Sequence, residues 1–402
     1  MAVLAELPPE LVFHIISFLT RNIILDKDIL RGFYRSEEPE SLLDLPSINA
    51  LAQANAVFHR TFNQSLYHAC ASVEPLGKLA LLSAVQHQLE SAVEKLVAAG
   101  VDLDSEFYFQ YNACGVLHVA AGMGYRPMVV KLLGMHGAEM QARVHARRGL
   151  NRWTALDYAA RLGHLETARI LAPIPRPRLD GGPPSDPDPV RAHREYLSVA
   201  LIHAVKGRGG NREIAEYLVS EGADVFKNLN GTPLYHAAAT KNVGLVQFLL
   251  DAGANPNLHD NDCIPLFNAT CHRNLDIVQA LLLGGADIHV KNRNSLNVLS
   301  CCTDVESLRF FLARGVDPNV AEPSGDTPLH HACGAEEAEF AQTSVELLLE
   351  FGAATVDKPG RRGFTPVDIA IREGYTEIVE LLEPLVQNPE LKMKIASWWE
   401  ET

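Results

Sequence analysis

The sequence is poor in features that mark chemistry. Its seven cysteines, Cys70, Cys114, Cys263, Cys271, Cys301, Cys302 and Cys333, are an odd number without a C-x-x-C pair. Neither a disulfide framework nor a zinc knuckle is therefore indicated, and a reducing compartment is expected. Long apolar runs are missing too: no uncharged apolar run reaches the roughly 18 to 20 residues that a membrane span needs. Positive charge is scarce, with 35 Lys and Arg against 49 Asp and Glu, a net charge of −14. That sign repels phosphate backbones and anionic membranes, so neither direct nucleic-acid binding nor a membrane partner is expected. The motifs G-x-S-x-G, G-x-x-x-x-G-K-[ST] and H-E-x-x-H are absent, as are an EF-hand and a kinase set. No enzyme and no cofactor is expected.

What is present is a core. Apolar residues make up 47% of the 402 positions, which excludes a disordered chain and suffices for burial without metal or disulfide staples. The apolar stretch from Leu11 to Thr20 follows Glu6 and Glu10 rather than a basic region and reads as a folded helix, not a signal peptide. The sequons at Asn63, Asn230 and Asn268 then carry no weight.

Self-similarity decides the architecture. One mark is a Gly-Ala-Asp-like tripeptide at Gly100, Gly137, Gly222, Gly253, Gly285, Gly315 and Gly352, and the glycines from Gly222 to Gly315 lie 31, 32 and 30 residues apart. A second mark, in fixed phase with the first, begins Thr232-Pro-Leu-Tyr, Ile264-Pro-Leu-Phe, Thr327-Pro-Leu-His and Thr365-Pro-Val-Asp, with weaker copies at Val116, Thr154 and Asn297. Thr predicts an N-cap, and Pro fits the first helical position, where a missing N–H costs nothing. Leu245, Val246, Leu249 and Leu250 form an apolar helical face, and Gly253 suits the left-handed residue that ends such a helix.

These motifs resemble the ankyrin repeat, whose T-P-L-H-x-A signature recurs about every 33 residues. The resemblance implies an all-α solenoid of helix–turn–helix–loop units. About nine are expected over residues 76–390, starting near Leu76, Ala113, Arg152, His193, Leu229, Asn261, Arg293, Gly325 and Arg361. The three units from Leu229 to Ser324 read as regular, whereas those near Leu76 and His193 read as degenerate. A Pro/Gly-rich insertion at 173–190 predicts an exposed loop, and residues 391–402, with Ile395, Trp398 and Trp399, predict a capping helix.

Residues 1–70 differ. Leu7-Pro-Pro-Glu-Leu11, Ile15-x-x-x-Leu19 and the later stripe through Leu45, Phe58 and Phe62 resemble an F-box, a three-helix module, here interrupted at about residues 20–44. That family docks the Skp-type adaptor of cullin–RING ubiquitin ligases. The resemblance makes Leu7, Pro8, Leu11, Ile15, Leu19, Leu45 and Phe58 the adaptor contacts, each worth roughly 1.5 to 3 kcal/mol if fully buried. The same residues also suit an N-terminal cap on the first repeat, and both readings stay open.

Loop tips and inner helices of ankyrin arrays bind proteins, which assigns client contact to Asn228, Asn230, Asp260, Asn261, Asp262, Asn292 and Asn294. Functionally this implies a monomeric substrate receptor in the cytoplasm, the nucleus or both, as in fungal F-box/ankyrin proteins. The alternative is an ankyrin scaffold or transcriptional co-regulator, for example of a biosynthetic gene cluster, without a ligase role.

Other candidate sites have plainer readings. Cys263, Cys271 and His272 with His259 have zinc-binding donors, but they follow the repeat spacing and read as small core residues, as do Cys301 and Cys333 at the place filled elsewhere by Ala237. Gly207-Arg-Gly-Gly210 reads as an inter-helix turn. Arg143, Arg147, Arg148 and Arg152 suit either a nuclear-import patch or a solvated loop. His118 and His330 occupy the signature His position, replaced by Asp157 and Asp368 in two other units. Charge is uneven: residues 1–75 hold 9 acids and 5 bases, 76–325 hold 25 and 24, and 326–402 hold 15 and 6, giving nets of −4, −1 and −9.

Overall fold

The computed structural model describes residues 74–109, 112–148, 151–173, 189–258 and 262–401, together with Tyr67 and Ala71. The adaptor-contact residues Leu7, Pro8, Leu11, Ile15, Leu19, Leu45 and Phe58, most of the Pro/Gly-rich insertion, and the loop-tip residues Asp260 and Asn261 lie outside them. Two compact units divide the chain, Met1–His203 and Ala204–Thr402.

The first unit contains α1 (Glu74–Gln86), α2 (Glu90–Ala98), β1 (Phe107–Phe109), β2 (Asn112–Cys114), α3 (Val116–Gly122), α4 (Arg126–His136), α5 (Met140–Val144), α6 (Ala155–Leu162) and α7 (Leu165–Leu171). The division falls inside the 18-residue helix α8 (Pro189–Lys206). First helices stack in series, α1 on α3 on α6, and α4 packs against α7.

The second unit contains α9 (Arg212–Ser220), α10 (Pro233–Ala238), α11 (Val243–Asp251), α12 (Pro265–Cys271), α13 (Leu275–Leu283), a 3-10 turn (Val298–Cys301), α14 (Val305–Leu312), α15 (Pro328–Cys333), α16 (Ala338–Glu350), α17 (Pro366–Glu373), α18 (Thr376–Leu382) and α19 (Pro389–Glu401). Its inner row runs α10, α12, the 3-10 turn, α15 and α17, and its outer rows run α9–α11–α13 and α14–α16–α18. Most of these helices have 6 to 9 residues. Such lengths are marginal in isolation, so stacking neighbours supplies the stability. Leu234, Leu245, Val246, Leu249, Leu266, Leu281, Phe311 and Leu329 are all buried.

Local chemistry sets the boundaries. Thr154, Thr232 and Thr365 cap α6, α10 and α17, and Pro stands in the first turn of α10, α12, α15 and α17. Gly253, at φ +94, closes α11 in the left-handed region that a side chain resists. The next acidic or amide residue then fixes the loop: Asp102, Asp224, Asn255, Asp287 and Asp317 each accept a hydrogen bond from the backbone N–H two residues on, at 2.8 to 2.9 Å.

Three features differ from the sequence reading. The fold is not wholly helical: β1 and β2 form an antiparallel hairpin with Phe107 opposite Cys114, both buried, because the long α2–α3 connection carries an aromatic run suited to strand pairing. Gly137-Ala-Glu does not form the expected loop. Glu139 is one methylene too long for the Asx turn, and the chain continues as a 3-10 turn (Gly137–Glu139) into α5. The unit near Arg293, read as regular, has only the 3-10 turn as its first helix. Its cap, Asn297, bonds the N–H two residues on, Leu299, at 3.1 Å rather than three, and no Pro follows.

Helix α19 buries Leu391 and Ile395; Trp398 and Trp399 are half-buried with ring centroids 4.7 Å apart, and the Trp399 indole donates to Glu383 at 3.2 Å.

Candidate functional site

The signature positions are structural. In α6 the Thr154 N–H and hydroxyl donate to Asp157 Oδ2 at 2.7 and 2.9 Å, while Thr154 Oγ1 accepts from the Asp157 N–H at 3.3 Å. Asp368 makes the same box with Thr365, and its other oxygen accepts from Lys394 at 2.5 Å. In α15 the Thr327 N–H donates to His330 Nδ1 at 3.1 Å. His118 Nε2 donates to the Ala146 carbonyl at 3.0 Å, and burial pulls its pKa down to about 4, so the ring is neutral.

Neighbouring repeats are tied by side chain to backbone bonds. Asn257 and Asn319 each clamp the following loop twice, donating to the Gly285 and Gly352 carbonyls at 2.9 Å and accepting from the Asp287 and Ala354 N–H groups at 2.8 Å. His164, Asn242, Asn274 and Tyr375, which open the second helix of their repeats, reach back to the turn before. Through this rule Asn242 grips the Gly207–Gly210 segment, a tight turn in which Gly209 and Gly210 have φ of +73° and +72°.

The same economy governs the loop tips of the second unit. Asn228 accepts from the Gly231 N–H at 2.9 Å, Asp262 from the Arg293 N–H at 2.7 Å, and Asn292 from the Asn294 and Leu296 N–H groups at 3.0 and 2.9 Å. Asn230 and Asp262 take positive φ, at 53° and 65°. Asn228, Asp262 and Asn292 thus build the hairpins, whereas Asn230 and Asn294 are exposed on them. Sequence periodicity passed over the apolar tips. Phe226 is 48% exposed, Leu229 41% and Leu258 38%, on two successive loops. Their signal was present, as large apolar residues in turn segments that no helical face accounts for.

The remaining candidates resolve into contacts. Aligned through Thr232, Asn297 and Thr327, Cys333 falls at Ala238 and Cys302 at Ala237, correcting the placement of Cys301 and Cys333. Cys333 is fully buried, and Cys302 donates to the Val298 carbonyl at 3.5 Å. His259 lies outside the described residues, and among those described no group of three or more His, Cys, Asp or Glu is arranged to hold a metal. Of the arginines, Arg143 pairs with Asp104 and Glu139, and Arg148 with Glu106. No helix among the described residues is long and apolar enough to cross a membrane.

Short helix pairs with Thr-x-x-His or Thr-x-x-Asp boxes, Asx-fixed loops and exposed hairpin tips define a repeat protein that presents surface, an architecture that is typically non-enzymatic. The chain belongs to the ankyrin-repeat family: the family model for ankyrin repeats matches three times, over residues 81–178, 201–292 and 296–392. Among curated proteins it is similar to the NF-kappa-B p105 subunit of Gallus gallus, 31% identical over 212 residues, or 49% of this chain and 20% of that protein. It is also similar to the palmitoyltransferase Hip14 of Drosophila melanogaster, 36% identical over 185 residues, or 43% of this chain and 28% of that protein. The second match runs through ankyrin repeats alone. The chain thus spans less than a third of these relatives. Among solved structures, the human ASB11 ankyrin repeat domain is 23% identical, with a TM-score of 0.46, covering 59% of this chain and 98% of that one. Ankyrin repeats imply a protein–protein interaction role.

Proposed function

We propose that this chain is a client receptor: the loop edge of the second unit captures a protein, and the F-box-like segment recruits a Skp-type adaptor that presents the client for ubiquitination. The observation that carries client capture is the exposure of Phe226, Leu229 and Leu258 beside hairpins in which Asn228, Asp262 and Asn292 are already committed to fixing the backbone. Apolar groups held on a rigid frame lose little entropy on binding. The adaptor step is supported by the L-P-x-E-L and I-x-x-x-L spacing of Leu7 to Leu19. A receptor of this kind works as a monomer, in the cytoplasm or the nucleus.

Affinity purification of the full chain with mass spectrometry tests both steps. Leu11→Asp with Ile15→Asp removes the adaptor and keeps the client. Phe226→Ser with Leu229→Ser and Leu258→Ser removes the client and keeps the adaptor. Undiminished adaptor recovery with the first variant overturns the ligase step and leaves a scaffold or transcriptional co-regulator.

A further inference from the structure

Four of the six described cysteines, Cys263, Cys271, Cys301 and Cys302, belong to neighbouring repeats of the second unit. Cys271 is exposed at the C-terminus of α12, and Cys301 is half-buried at the end of the 3-10 turn that packs against α12. The two positions lie 30 residues apart on adjacent repeats, and these repeats are tied beside them by Arg273, whose Nε donates to Thr303 Oγ1 at 3.0 Å. There the Cys271 and Cys301 thiols come within hydrogen-bonding reach of each other. The other two thiols are otherwise engaged: Cys302 donates to the Val298 carbonyl at 3.5 Å, and Cys263 is hydrogen-bonded with Tyr235.

We propose that Cys271 and Cys301 form a peroxide-reactive dithiol whose oxidation joins two adjacent repeats by a disulfide. Cys271 attacks one oxygen of a hydroperoxide and the O–O bond breaks. The sulfur becomes a sulfenic acid and the other oxygen leaves as hydroxide or alkoxide, taking up a proton. Cys301 then attacks the sulfenic sulfur, the S–S bond forms, and the hydroxyl departs as water with the Cys301 proton. The peroxide is reduced by two electrons and the two thiols are oxidised by the same two. Reduction by a small thiol restores both.

The environment distinguishes the roles of the two sulfurs. Cys271 is the exposed sulfur, and the contact with Cys301 and the nearby His272 lower its pKa against its partial burial, which favours the nucleophilic thiolate. Cys301 is pushed well up by that same contact, by burial and by the neighbouring Cys271 and Cys302 sulfurs, which suits the resolving thiol and not the attacking one.

The test treats the reduced full-length chain with limiting hydrogen peroxide at pH 7, blocks free thiols with N-ethylmaleimide in denaturant, and maps the non-reduced digest by mass spectrometry. The expected product joins the Cys271 and Cys301 peptides with loss of two hydrogens, and it forms equally in Cys302→Ser. Cys301→Ser traps the sulfenic acid at Cys271, read as a dimedone adduct, whereas Cys271→Ser gives neither product. On untreated protein, brief labelling at pH 7 modifies Cys271 about tenfold faster than the other thiols. Both thiols still alkylatable after peroxide, or a cross-link running through Cys302 or Cys263, overturns the proposal.

Discussion

At the scale of single residues, the same capping box serves two carboxylates in opposite ways. Asp157 is fully buried with its Oδ1 unpartnered, and burial raises its pKa to about 6 despite the Thr154 bonds and Arg147. Burial also opposes charge on Asp368, but the Lys394 ammonium and the Thr365 bonds outweigh it and hold that carboxyl below the usual range. A raised acid contributes stability that is fully present below its unfolded pKa of about 3.8 and is lost as pH rises through about 6. Two pKa units correspond to about 2 to 3 kcal/mol. Asp157→Asn therefore removes about that much pH dependence: the wild type gains relative to the variant from pH 7.5 down to 4, measured by hydrogen exchange over residues 116–171. Asp368→Asn behaves with the other sign, costing stability at pH 7 and less as pH falls through the carboxylate range. Parallel pH profiles for wild type and Asp157→Asn would refute this account. The sequence shows the His-or-Asp position in each signature. It does not show which Asp has a cation above it, because Lys394 arrives from a helix 26 residues on and Tyr196, buried near Asp157, from beyond the insertion.

At the scale of elements, the repeat phase was legible because cap, proline and loop glycine recur together, and each is decided by neighbours within a few residues. The departures share a cause. Glu139 in place of Asp and Asn297 in place of Thr each change one local hydrogen bond, and a helix of six residues has no reserve with which to resist. Where spacing alone was available the packing partner stayed hidden, as Gly360 illustrates. Its φ of −98 is ordinary, yet a Cβ there would strike Asp326 Oδ1 and lie 2.7 Å from His330 Nε2. Asp326 Oδ1 also accepts from the Arg361 N–H at 2.7 Å, so the hairpin before α15 and the one before α17 meet at this glycine. Gly360→Ala is expected to cost about 1 to 3 kcal/mol through overpacking. The loss of amide protection should concentrate in residues 326–333 and 361–370. Gly100→Ala, at φ +103 with open space around the added carbon, is the control: it strains the end of α2 and leaves the second unit unchanged. Equal unfolding midpoints for Gly360→Ala and wild type would show that the contact yields freely.

At the scale of the whole molecule, charge is distributed by how each ion is neutralised and not only by composition. Arg143 and Arg148, the core of the basic cluster, sit in local pairs with Asp104, Glu139 and Glu106, so they project little field. Residues 326–402 carry 15 acids against 6 bases, and Glu336, Glu337 and Glu339 stand exposed together before and within the first turn of α16. Fields from such clusters reach about one Debye length, near 8 Å at physiological salt, and act on encounter rates more than on final affinity. For a client with a basic segment, association is expected to slow by about tenfold from low to physiological ionic strength. Dissociation, which the proposed function assigns to apolar tips such as Phe226 and Leu229, should change little. Glu336→Gln with Glu337→Gln and Glu339→Gln should flatten the salt dependence of the association rate in stopped-flow or surface-binding kinetics while preserving the off-rate. An association rate insensitive to salt in the wild type, or one equally salt-dependent in the triple variant, would remove the C-terminal charge from the capture step and leave the loop edge to act alone.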